Sequence, residues 1–325
     1  MPAYRSVADV GEQAAGRTAL PGALSAIGGT PIVRLDAVVP AGAAEVWVKL
    51  EGANPTGSYK DRMALSLVRG ALGRGEIAPG DTLVEYTGGS TGTSLAFVAG
   101  VLGMGFTAIF SDAFSMSKKQ AMEAFGATVL VEHSDDGLIS TALAERMRRR
   151  AHEVAAQPGH HYADQFGSSD VPRGYRPLGT EIADALDGAV DVLCAAVGTG
   201  GAIMGTLGGL RDAGIDPTVV ALEPEQSPLL TTGRSGAHAV EGIAVFPDPP
   251  FVDREQIDQV RTIDQERAFE MCRLLARAEG IFGGASTGLN VAAAVDIATE
   301  LGPGHRVVTI ACDSGLKYLG GRVYP

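Results

Sequence analysis

The stretch 82-TLVEYTGGSTGTSLAFVAGVLGMGFTAIF-110 decides the fold of this chain. It begins with a strand-like run at 82–86, passes through a glycine-rich turn into an apolar helical pattern, and ends in a second strand-like run at 106–110. Two strands joined by a crossover helix are typical of parallel pairing, because parallel strands need a long connection. The stretch therefore predicts an α/β fold with a mostly parallel sheet.

The same alternation of strand-like and helical patterns covers most of the chain. Several strand-like runs are apolar on both faces, as expected for strands that helices cover on both sides. The remaining predicted strands are 46–50, 127–131, 191–197, 218–223 and 306–311, and the predicted helices are 59–74, 91–103, 115–125, 137–155, 200–213, 264–279 and 287–301. The segments 157–180 and 224–262 break the alternation, and we interpret them as a domain crossing and as loops around a site.

The length and the net charge of the chain limit the classes of protein to which it can belong. A length of 325 residues fits two domains of ordinary size. The formal net charge is −12, and the short basic run 147-MRRR-150 lies on a helical pattern rich in Ala and Glu. Nucleic-acid binding is therefore not expected, because it requires clustered Lys and Arg on one surface.

Membrane spans, secretion and metal sites are not expected either. The apolar run 94–110 has glycines in its second half and is shorter than a membrane span, so we interpret it as a buried helix turning into a buried strand. Cys194, Cys272 and Cys312 lack metal or redox spacing, the histidines show no helical pairing, and the N-terminus has no apolar leader. We expect a reduced, cytoplasmic protein without a metal.

The segment 51-EGANPTGSYKDRMA-64 places Lys60 in the first turn of a predicted helix. A cation is disfavoured there, because the amino end of a helix carries a partial positive charge. Either the side chain points away from the helix end, or the position requires an amine that loses its proton easily.

The loop 87-TGGSTG-92 joins a predicted strand to a predicted helix. Its glycines permit unusual backbone angles, and its hydroxyls and free N–H groups can bind an anion, most simply a carboxylate. An ordinary helix cap formed by Ser or Thr is the alternative interpretation.

The loop 198-GTGGA-202 also joins a predicted strand to a predicted helix, and it is richer in glycine. Such a turn can hold a phosphate on backbone N–H groups. It is not a Walker A loop, since no Gly-Lys-Ser/Thr follows, and it matches the dinucleotide-binding pattern only loosely. From this loop alone, a nucleotide and another phosphate ligand stay open.

A further polar segment, 312-CDSGLKYL-319, follows the last predicted strand. Ser314 lies at the carboxyl end of that strand, where α/β sheets hold their ligands. A helix cap formed by Asp313 or Ser314 explains the same residues equally well.

One ligand would use all four of these features. A lysine, a loop for a carboxylate, a loop for a phosphate and a serine suited to a ring nitrogen together indicate pyridoxal phosphate. Lys60 would form the Schiff base with its aldehyde. Burial would lower the pKa of the lysine, because desolvation penalises the ammonium form.

These motifs resemble the cysteine synthase (O-acetylserine sulfhydrylase) and cystathionine β-synthase family of fold-type-II pyridoxal phosphate enzymes. The resemblance runs from about residue 24 to 319 and rests on 28-GGTPIVRL-35, 49-KLEGANPTGSYKDR-62, 198-GTGGA-202, 279-EGIFGGASTGLNVAAA-294 and 313-DSGLKYL-319. It implies a tryptophan synthase β-like fold with the cofactor in the cleft between two domains. We expect a smaller domain at 40–160, a larger one formed by 1–39 and 161–325, and a homodimer.

The resemblance also implies a role for each matching residue. Lys60 would carry the cofactor and act as the catalytic base, and Ser314 would contact the pyridine nitrogen. The other cofactor-binding residues would be Ser90, Gly198, Thr199, Gly200, Gly201 and Ala202, and the substrate-binding residues Thr87, Gly88, Gly89, Thr91 and Gln165.

This chain departs from the family pattern at three of these positions. The family's loop Thr-Ser-Gly-Asn-Thr-Gly has a serine where Gly88 stands and an asparagine where Ser90 stands. The family's phosphate loop ends in a threonine where Ala202 stands. These changes affect one carboxylate contact, the contact with the cofactor's phenolic oxygen and one hydroxyl to the phosphate, so the cofactor carries over better than the substrate.

The activity implied by the resemblance is β-replacement on an activated serine, through an aminoacrylate. The donor would be O-acetylserine or a related amino acid, and the second substrate would be sulfide or another small nucleophile. A neutral Ser314 beside the ring nitrogen suits elimination and replacement better than transamination. The alternatives are a dehydratase or racemase acting on serine- or threonine-type amino acids, a nucleotide-binding dehydrogenase with Glu223 near the ribose, and a silent binding protein.

Overall fold

The computed structural model describes residues 22–135, 137, 140–244 and 248–325. The N-terminal stretch, on which the expectation of no secretory leader rests, lies outside these residues. In chain order the strands are β1 (Ile32–Arg34), β2 (Glu45–Leu50), β3 (Thr82–Tyr86), β4 (Gly105–Ser111), β5 (Thr128–Glu132), β6 (His160–Tyr162), β7 (Val192–Ala196), β8 (Thr218–Pro224), β9 (Gln259–Ile263) and β10 (Arg306–Ala311). The helices are α1 (Lys60–Gly73), α2 (Ser90–Val101), α3 (Met116–Ala124), α4 (Thr141–Ala155), α5 (Asp170–Ala185), α6 (Gly201–Asp212), α7 (Leu229–Thr232), α8 (Gln265–Ala278) and α9 (Ala285–Leu301).

The chain divides into two compact units. The first comprises Lys60–Gly174 and the described residues up to Ile27, and the second comprises Gly28–Tyr59 and Tyr175–Pro325. The domain boundaries expected near residues 40 and 160 stay a prediction. In the structure, residues 40–59 group with the second unit, because β2 pairs with β10.

The first unit contains a four-stranded sheet in the order β5-β4-β3-β6, with all neighbouring pairs parallel. The apolar run 94–110 is confirmed as a helix followed by a strand, since α2 ends at Val101 and β4 begins at Gly105. Both elements are buried almost throughout, which explains their lack of a polar face. Within the described residues, no helix is long and apolar enough to cross a membrane.

The second unit contains a six-stranded sheet in the order β1-β2-β10-β7-β8-β9. Only β1 pairs antiparallel among these strands; the other neighbours run parallel. Helix α9 packs against this sheet, and most of its residues are buried, as its apolar sequence predicts. The predicted fold class, α/β with mostly parallel sheets flanked by helices, is confirmed.

The segment 157–180, which we interpreted as a domain crossing, contains β6 and the first part of α5. The segment 224–262 is mostly loop as expected, but it also contains α7 and most of β9. The basic run at 148–150 is exposed on α4, as predicted. Cys194, Cys272 and Cys312 are buried and form no disulfide, also as predicted.

Candidate active site

Lys60 is the first residue of α1 and is half-buried. The residues just before it are fixed to the end of β10 in the second unit. The N–H of Tyr59 donates to the Cys312 carbonyl at 3.0 Å, and the N–H of Ser314 donates to the Gly57 carbonyl at 2.9 Å. The chain is therefore held in place up to the residue before the lysine.

The turn that leads to Lys60 is braced by buried side chains of two motifs. Thr30 Oγ1 donates to Glu51 Oε1 at 2.5 Å, and Asn54 Nδ2 donates to Glu51 Oε2 at 2.9 Å. The N–H of Gly28 donates to Asn54 Oδ1 at 2.8 Å. Four residues of the motifs 28–35 and 49–62, namely Gly28, Thr30, Glu51 and Asn54, thus shape this turn.

Residues 87–92, the threonine loop, belong to the first unit and lead into α2. Thr87 Oγ1 accepts the N–H groups of Gly89 at 3.0 Å and Gly92 at 3.2 Å. Ser90 is the first helical residue, and within the described chain its hydroxyl makes no hydrogen bond. A helix start with free N–H groups and hydroxyls suits a small carboxylate.

Gln165, to which the family resemblance assigns a role in substrate binding, lies against the threonine loop. Its Oε1 accepts the Thr91 hydroxyl at 2.8 Å, and its Nε2 donates to the Tyr86 carbonyl at 2.9 Å. All but 8% of Gln165 is buried. Thr87, Thr91 and Gln165 therefore form one buried polar cluster in the first unit.

Glu85 is a residue of this cluster that the sequence analysis missed. It is completely buried on β3, and it accepts the N–H of Gln165 at 2.8 Å and the N–H of Tyr86 at 3.0 Å. Burial raises the pKa of Glu85 to about 8, although the two N–H groups favour the ionised form. The available signal was a carboxylate inside the apolar strand TLVEY, where an unpaired charge is costly.

Side chains from the segment after β4 pack closely against the glycines of the threonine loop. A Cβ at Gly88 would lie 2.9 Å from Phe114 Cε1, and one at Gly89 would lie 2.3 Å from Lys118 Cδ. Gly89 also has φ +136, a conformation that other residues rarely adopt. Phe114 thus occupies the space that a side chain at position 88 would need.

Residues 198–202, the glycine loop, leave β7 in the second unit and lead into α6. A Cβ at Gly198 would lie 2.4 Å from the Gly242 carbonyl oxygen, and one at Gly200 would lie 2.4 Å from Val252 Cγ2. Gly200 is left-handed, with φ +85. Only glycine fits here, and the first N–H groups of α6 lack intrahelical acceptors, so the loop suits a phosphate.

The remaining residues of the glycine loop are placed as follows. Thr199 Oγ1 accepts the N–H of Gly201 at 3.3 Å, and the Thr199 carbonyl accepts the N–H of Phe251 at 3.0 Å. Ala202 is the second residue of α6 and is half-buried. The loop is thereby tied to the segment that covers it.

Ser314 follows β10, which is the neighbour of β7 in the sheet. Its Oγ accepts the N–H of Leu316 at 3.3 Å, so the hydroxyl caps a short 3-10 helix, the alternative that the sequence left open. The role of Ser314 beside a ring nitrogen stays a prediction. Because β7 and β10 run parallel, the glycine loop and Ser314 leave the same edge of the sheet.

Ser286 is a second hydroxyl close to this segment, and the sequence analysis missed it. Gly283 forms a β-bridge with Ser314, and Ser286 follows at the start of α9. Ser286 is 6% exposed, and among the described residues its hydroxyl has no hydrogen-bond partner. The motif 283-GGASTG-288 contained the signal, a serine at a glycine-rich helix start.

The start of α9 also fixes both strands that carry these loops. Asn290 is fully buried; its Oδ1 accepts the N–H of Ala196 at the end of β7, and its Nδ2 donates to the Ile310 carbonyl in β10, both at 2.8 Å. Thr287 Oγ1 accepts the N–H of Cys312 at 3.1 Å. The relative position of the two strand ends therefore depends on α9.

The predicted site residues fall into two sets. Lys60, the threonine loop and Gln165 belong to the first unit, and the glycine loop, Ser286 and Ser314 belong to the second. Glu223, the acid of the dehydrogenase alternative, is buried and accepts the N–H groups of Leu230 and Thr231 at 2.6 and 2.9 Å. It is thus engaged within the chain, and that alternative is not supported. The described residues contain no cluster that could hold a metal.

The chain is similar to known proteins over most of its length. The family model described as "Pyridoxal-phosphate dependent enzyme" matches residues 23–313. A cysteine synthase from Staphylococcus aureus strain Mu50 is 35% identical over 302 residues, covering 92% of this chain and 95% of the relative. The crystal structure of O-ureido-L-serine synthase has a TM-score of 0.87 at 34% identity and covers 94% of this chain and 95% of its own. The O-acetylserine dependent cystathionine β-synthase from Helicobacter pylori has a TM-score of 0.86 at 31% identity, covering 95% of this chain and 100% of its own.

Proposed function

The chain belongs to the pyridoxal-phosphate dependent enzyme family, and on that premise we propose that it catalyses β-replacement on an activated L-serine. It is a pyridoxal phosphate enzyme of the cysteine synthase-like group. The observation that carries the proposal is the buried cluster at the threonine loop. Hydroxyls of Thr87 and Thr91, the N–H groups at the start of α2 and Gln165 offer a binding site for the α-carboxylate of an amino acid.

The residues of the second unit fit the cofactor. The glycine loop offers a phosphate the backbone N–H groups at the start of α6 and the Thr199 hydroxyl, and its glycines let it pack closely against Gly242 and Val252. Ser286 has a hydroxyl without a partner among the described residues, and Ser314 Oγ, which accepts the N–H of Leu316, keeps its hydrogen to donate, so both serines are candidates for the ring nitrogen. Lys60 would carry the cofactor on its Nζ. When bound, pyridoxal phosphate supplies an electron-withdrawing ring that makes the α-proton of an amino acid acidic.

Each of these residues has its own role in the proposed reaction. The threonine loop and Gln165 hold the donor carboxylate and so orient the Cα–H bond. Lys60 takes the α-proton as a general base, which requires its neutral amine. The bond from Cβ to the leaving oxygen breaks, a bond from Cβ to the incoming nucleophile forms, and Lys60 returns the proton to Cα.

The names of the relatives support the substrate class. One is called dependent on O-acetylserine, one is a cysteine synthase and one makes O-ureido-L-serine. We infer that O-acetyl-L-serine or a related ester is the donor and that sulfide or another small nucleophile is the second substrate. We also propose that the protein is cytoplasmic and a homodimer. Analytical ultracentrifugation of the purified protein tests the dimer.

A product assay tests the proposed reaction. The holoenzyme would be incubated with O-acetyl-L-serine, O-phospho-L-serine or L-serine, each with sulfide, and the released acetate or phosphate and the new amino acid measured. We expect one ester donor to give equal amounts of leaving group and β-substituted product. Lys60→Ala should abolish both, and Thr91→Val should raise the donor KM about tenfold through one lost hydrogen bond. Pyruvate without a β-substituted product, or an inverted amino acid, would contradict β-replacement and support the dehydratase or racemase alternative.

A further inference from the structure

The Glu85 carboxyl group joins the two segments that form the threonine-loop cluster. Glu85 is the residue before Tyr86 at the end of β3, and Gln165 lies 80 positions further along the chain. One carboxyl oxygen accepts the N–H of Tyr86 at 3.0 Å, and the other accepts the N–H of Gln165 at 2.8 Å. Because both oxygens are used, Glu85 fixes the backbone of both segments at once.

This link continues to the groups that would contact a carboxylate. The Gln165 side chain returns to the Tyr86 carbonyl and accepts the hydroxyl of Thr91. A displaced Gln165 backbone would therefore change the orientation of the Thr91 hydroxyl. Glu85 itself is completely buried and cannot touch a substrate in solution.

We propose that Glu85 is a positioning residue, which holds Gln165 and Thr91 in the arrangement that binds the donor carboxylate. This inference rests on the proposed function of the threonine loop. It adds Glu85, a buried acid, to the residues that determine the affinity for the amino-acid donor. Glu85 does so through Gln165, without touching the donor.

The surroundings of Glu85 contain few charges. Asp164 and the hydroxyls of Tyr86 and Tyr162 lie near it, and α2 and β4, which pack on or beside β3, carry no titratable side chain. From α4, which also packs on β3, Arg148 faces Tyr86, and the ring of His152 lies 4.5 Å from that of Tyr162. In β6, His161 pairs with Asp81 at 3.1 Å.

These surroundings predict how the cluster depends on pH. The pKa of Tyr86 is raised to about 12 and that of Tyr162 is raised further, so both hydroxyls stay neutral. Burial raises the pKa of Glu85 to about 8, so the acid is protonated at neutral pH and ionises above it. A new negative charge beside the carboxylate site would weaken anion binding.

Titration calorimetry of L-alanine binding to the holoenzyme tests the inference, because alanine has the carboxylate but no leaving group. Glu85→Gln would be compared with the parent and with Glu132→Gln, a matched change on β5 of the same sheet. We expect Glu85→Gln to bind alanine about five- to tenfold more weakly near pH 7, because its NH2 group faces one of the two N–H donors. The loss of affinity between about pH 7 and pH 9 should be smaller in Glu85→Gln than in the parent and unchanged in Glu132→Gln.

The outcomes separate the inference from the function on which it rests. If Glu85→Gln melts lower but binds alanine like the parent at every pH, Glu85 is only structural and the inference is overturned. If Glu85→Gln does not fold, Glu85→Asp replaces it; weaker binding with the parent's pH dependence is expected, and parent-like binding overturns the inference. A parent holoenzyme that binds no alanine overturns the proposed function of the loop, and the inference with it.

Discussion

Position 88 of the threonine loop is restricted to glycine by the neighbouring ring of Phe114. The family pattern has a serine at this position, but Phe114 Cε1 lies 2.9 Å from the point where a Cβ would be. Gly88→Ser should therefore lower the free energy of unfolding by about 1–3 kcal/mol, the usual cost of overpacking. Urea unfolding measures the change.

The matched control for Gly88→Ser is the double variant with Phe114→Leu, which shortens the aromatic side chain. It should recover more stability than the single variants predict together, because the two positions share one space. If the effects of the two changes on the free energy of unfolding simply add, Phe114 does not occupy the space that a side chain at position 88 would need.

The variants Ser286→Ala and Ser314→Ala test which hydroxyl contacts the cofactor. Ser286→Ala should raise the dissociation constant of pyridoxal phosphate about three- to tenfold, because an uncommitted hydroxyl is removed. Ser314→Ala also removes a cap, so it should cost about 1 kcal/mol of stability besides a loss of cofactor affinity of the same size. Equilibrium dialysis and urea unfolding measure the two effects, and a serine whose variant keeps the parent's cofactor affinity is not the partner of the ring nitrogen.

Glu85 should also impose a pH dependence on stability. Burial raises its pKa from 4.5 to about 8, so between these values the folded state keeps a proton that the unfolded chain has lost. The free energy of unfolding therefore falls as the pH rises through this window. Glu85→Gln cannot ionise, and between about pH 5 and pH 8 it should gain on the parent by on the order of a few kcal/mol. Equal changes with pH in both proteins, measured by urea unfolding, would show that Glu85 titrates normally.

Helix α5 explains why one element was missed by sequence reasoning. Pro172, Gly174, Pro177 and Gly179 lie in its sequence DVPRGYRPLGTEIADA, and local propensity alone argues against a helix there. Burial of Val171, Tyr175, Leu178 and Ile182 overrides that propensity. The four lie at helical spacing, so the periodicity was readable, but the breakers outweighed it.

The strands show a related limit. Long buried strands such as β3, β4 and β10 were predicted nearly to the residue, because their apolar runs exceed anything a loop would contain. Strands β1 and β6 have three residues each and alternate weakly, so no pattern identified them. Their existence depends on the neighbouring strand and not on their own sequence.

The close packing of α5 against α6 within the second unit gives an element-scale prediction. A Cβ at Gly209 would lie 1.9 Å from the Arg176 carbonyl oxygen, so the backbones of the two helices must separate. Gly209→Ala should lower the free energy of unfolding by about 3 kcal/mol. Gly73→Ala, in an exposed helix end with nothing within 4 Å, is the matched control and should be neutral or slightly stabilising. Equal effects of the two changes in urea unfolding would contradict the helix contact.

At the scale of the whole molecule, the three thiols report on burial. Cys194, Cys272 and Cys312 are buried and form no disulfide, and burial raises the pKa of Cys194 and of Cys272 to about 12. Since the thiolate is the reactive form, the native protein should react with a thiol reagent at least about a hundredfold more slowly than the unfolded chain. Fast labelling of the native protein would contradict the burial of these residues.

The site could be predicted from the sequence only in part. Lysine, hydroxyl and glycine motifs were readable because each lies within a few consecutive residues. The partners of those motifs were not, since Gln165 meets Glu85 and Asn290 joins β7 to β10 only after the chain has folded. Phe114 was missed for the same reason, because a packed ring has no local signature, whereas Ser286 lies in the readable motif 283-GGASTG-288 and was not singled out.

The absorption spectrum of the purified protein with pyridoxal phosphate, recorded against Lys60→Ala, tests the central claim most directly. The account predicts a visible band of covalently held cofactor that survives dialysis in the parent and is absent in the variant. It also predicts that the band changes on addition of O-acetyl-L-serine or a related ester donor and returns when the nucleophile is added. A parent that holds no cofactor band, or a band that Lys60→Ala retains unchanged, would contradict the account.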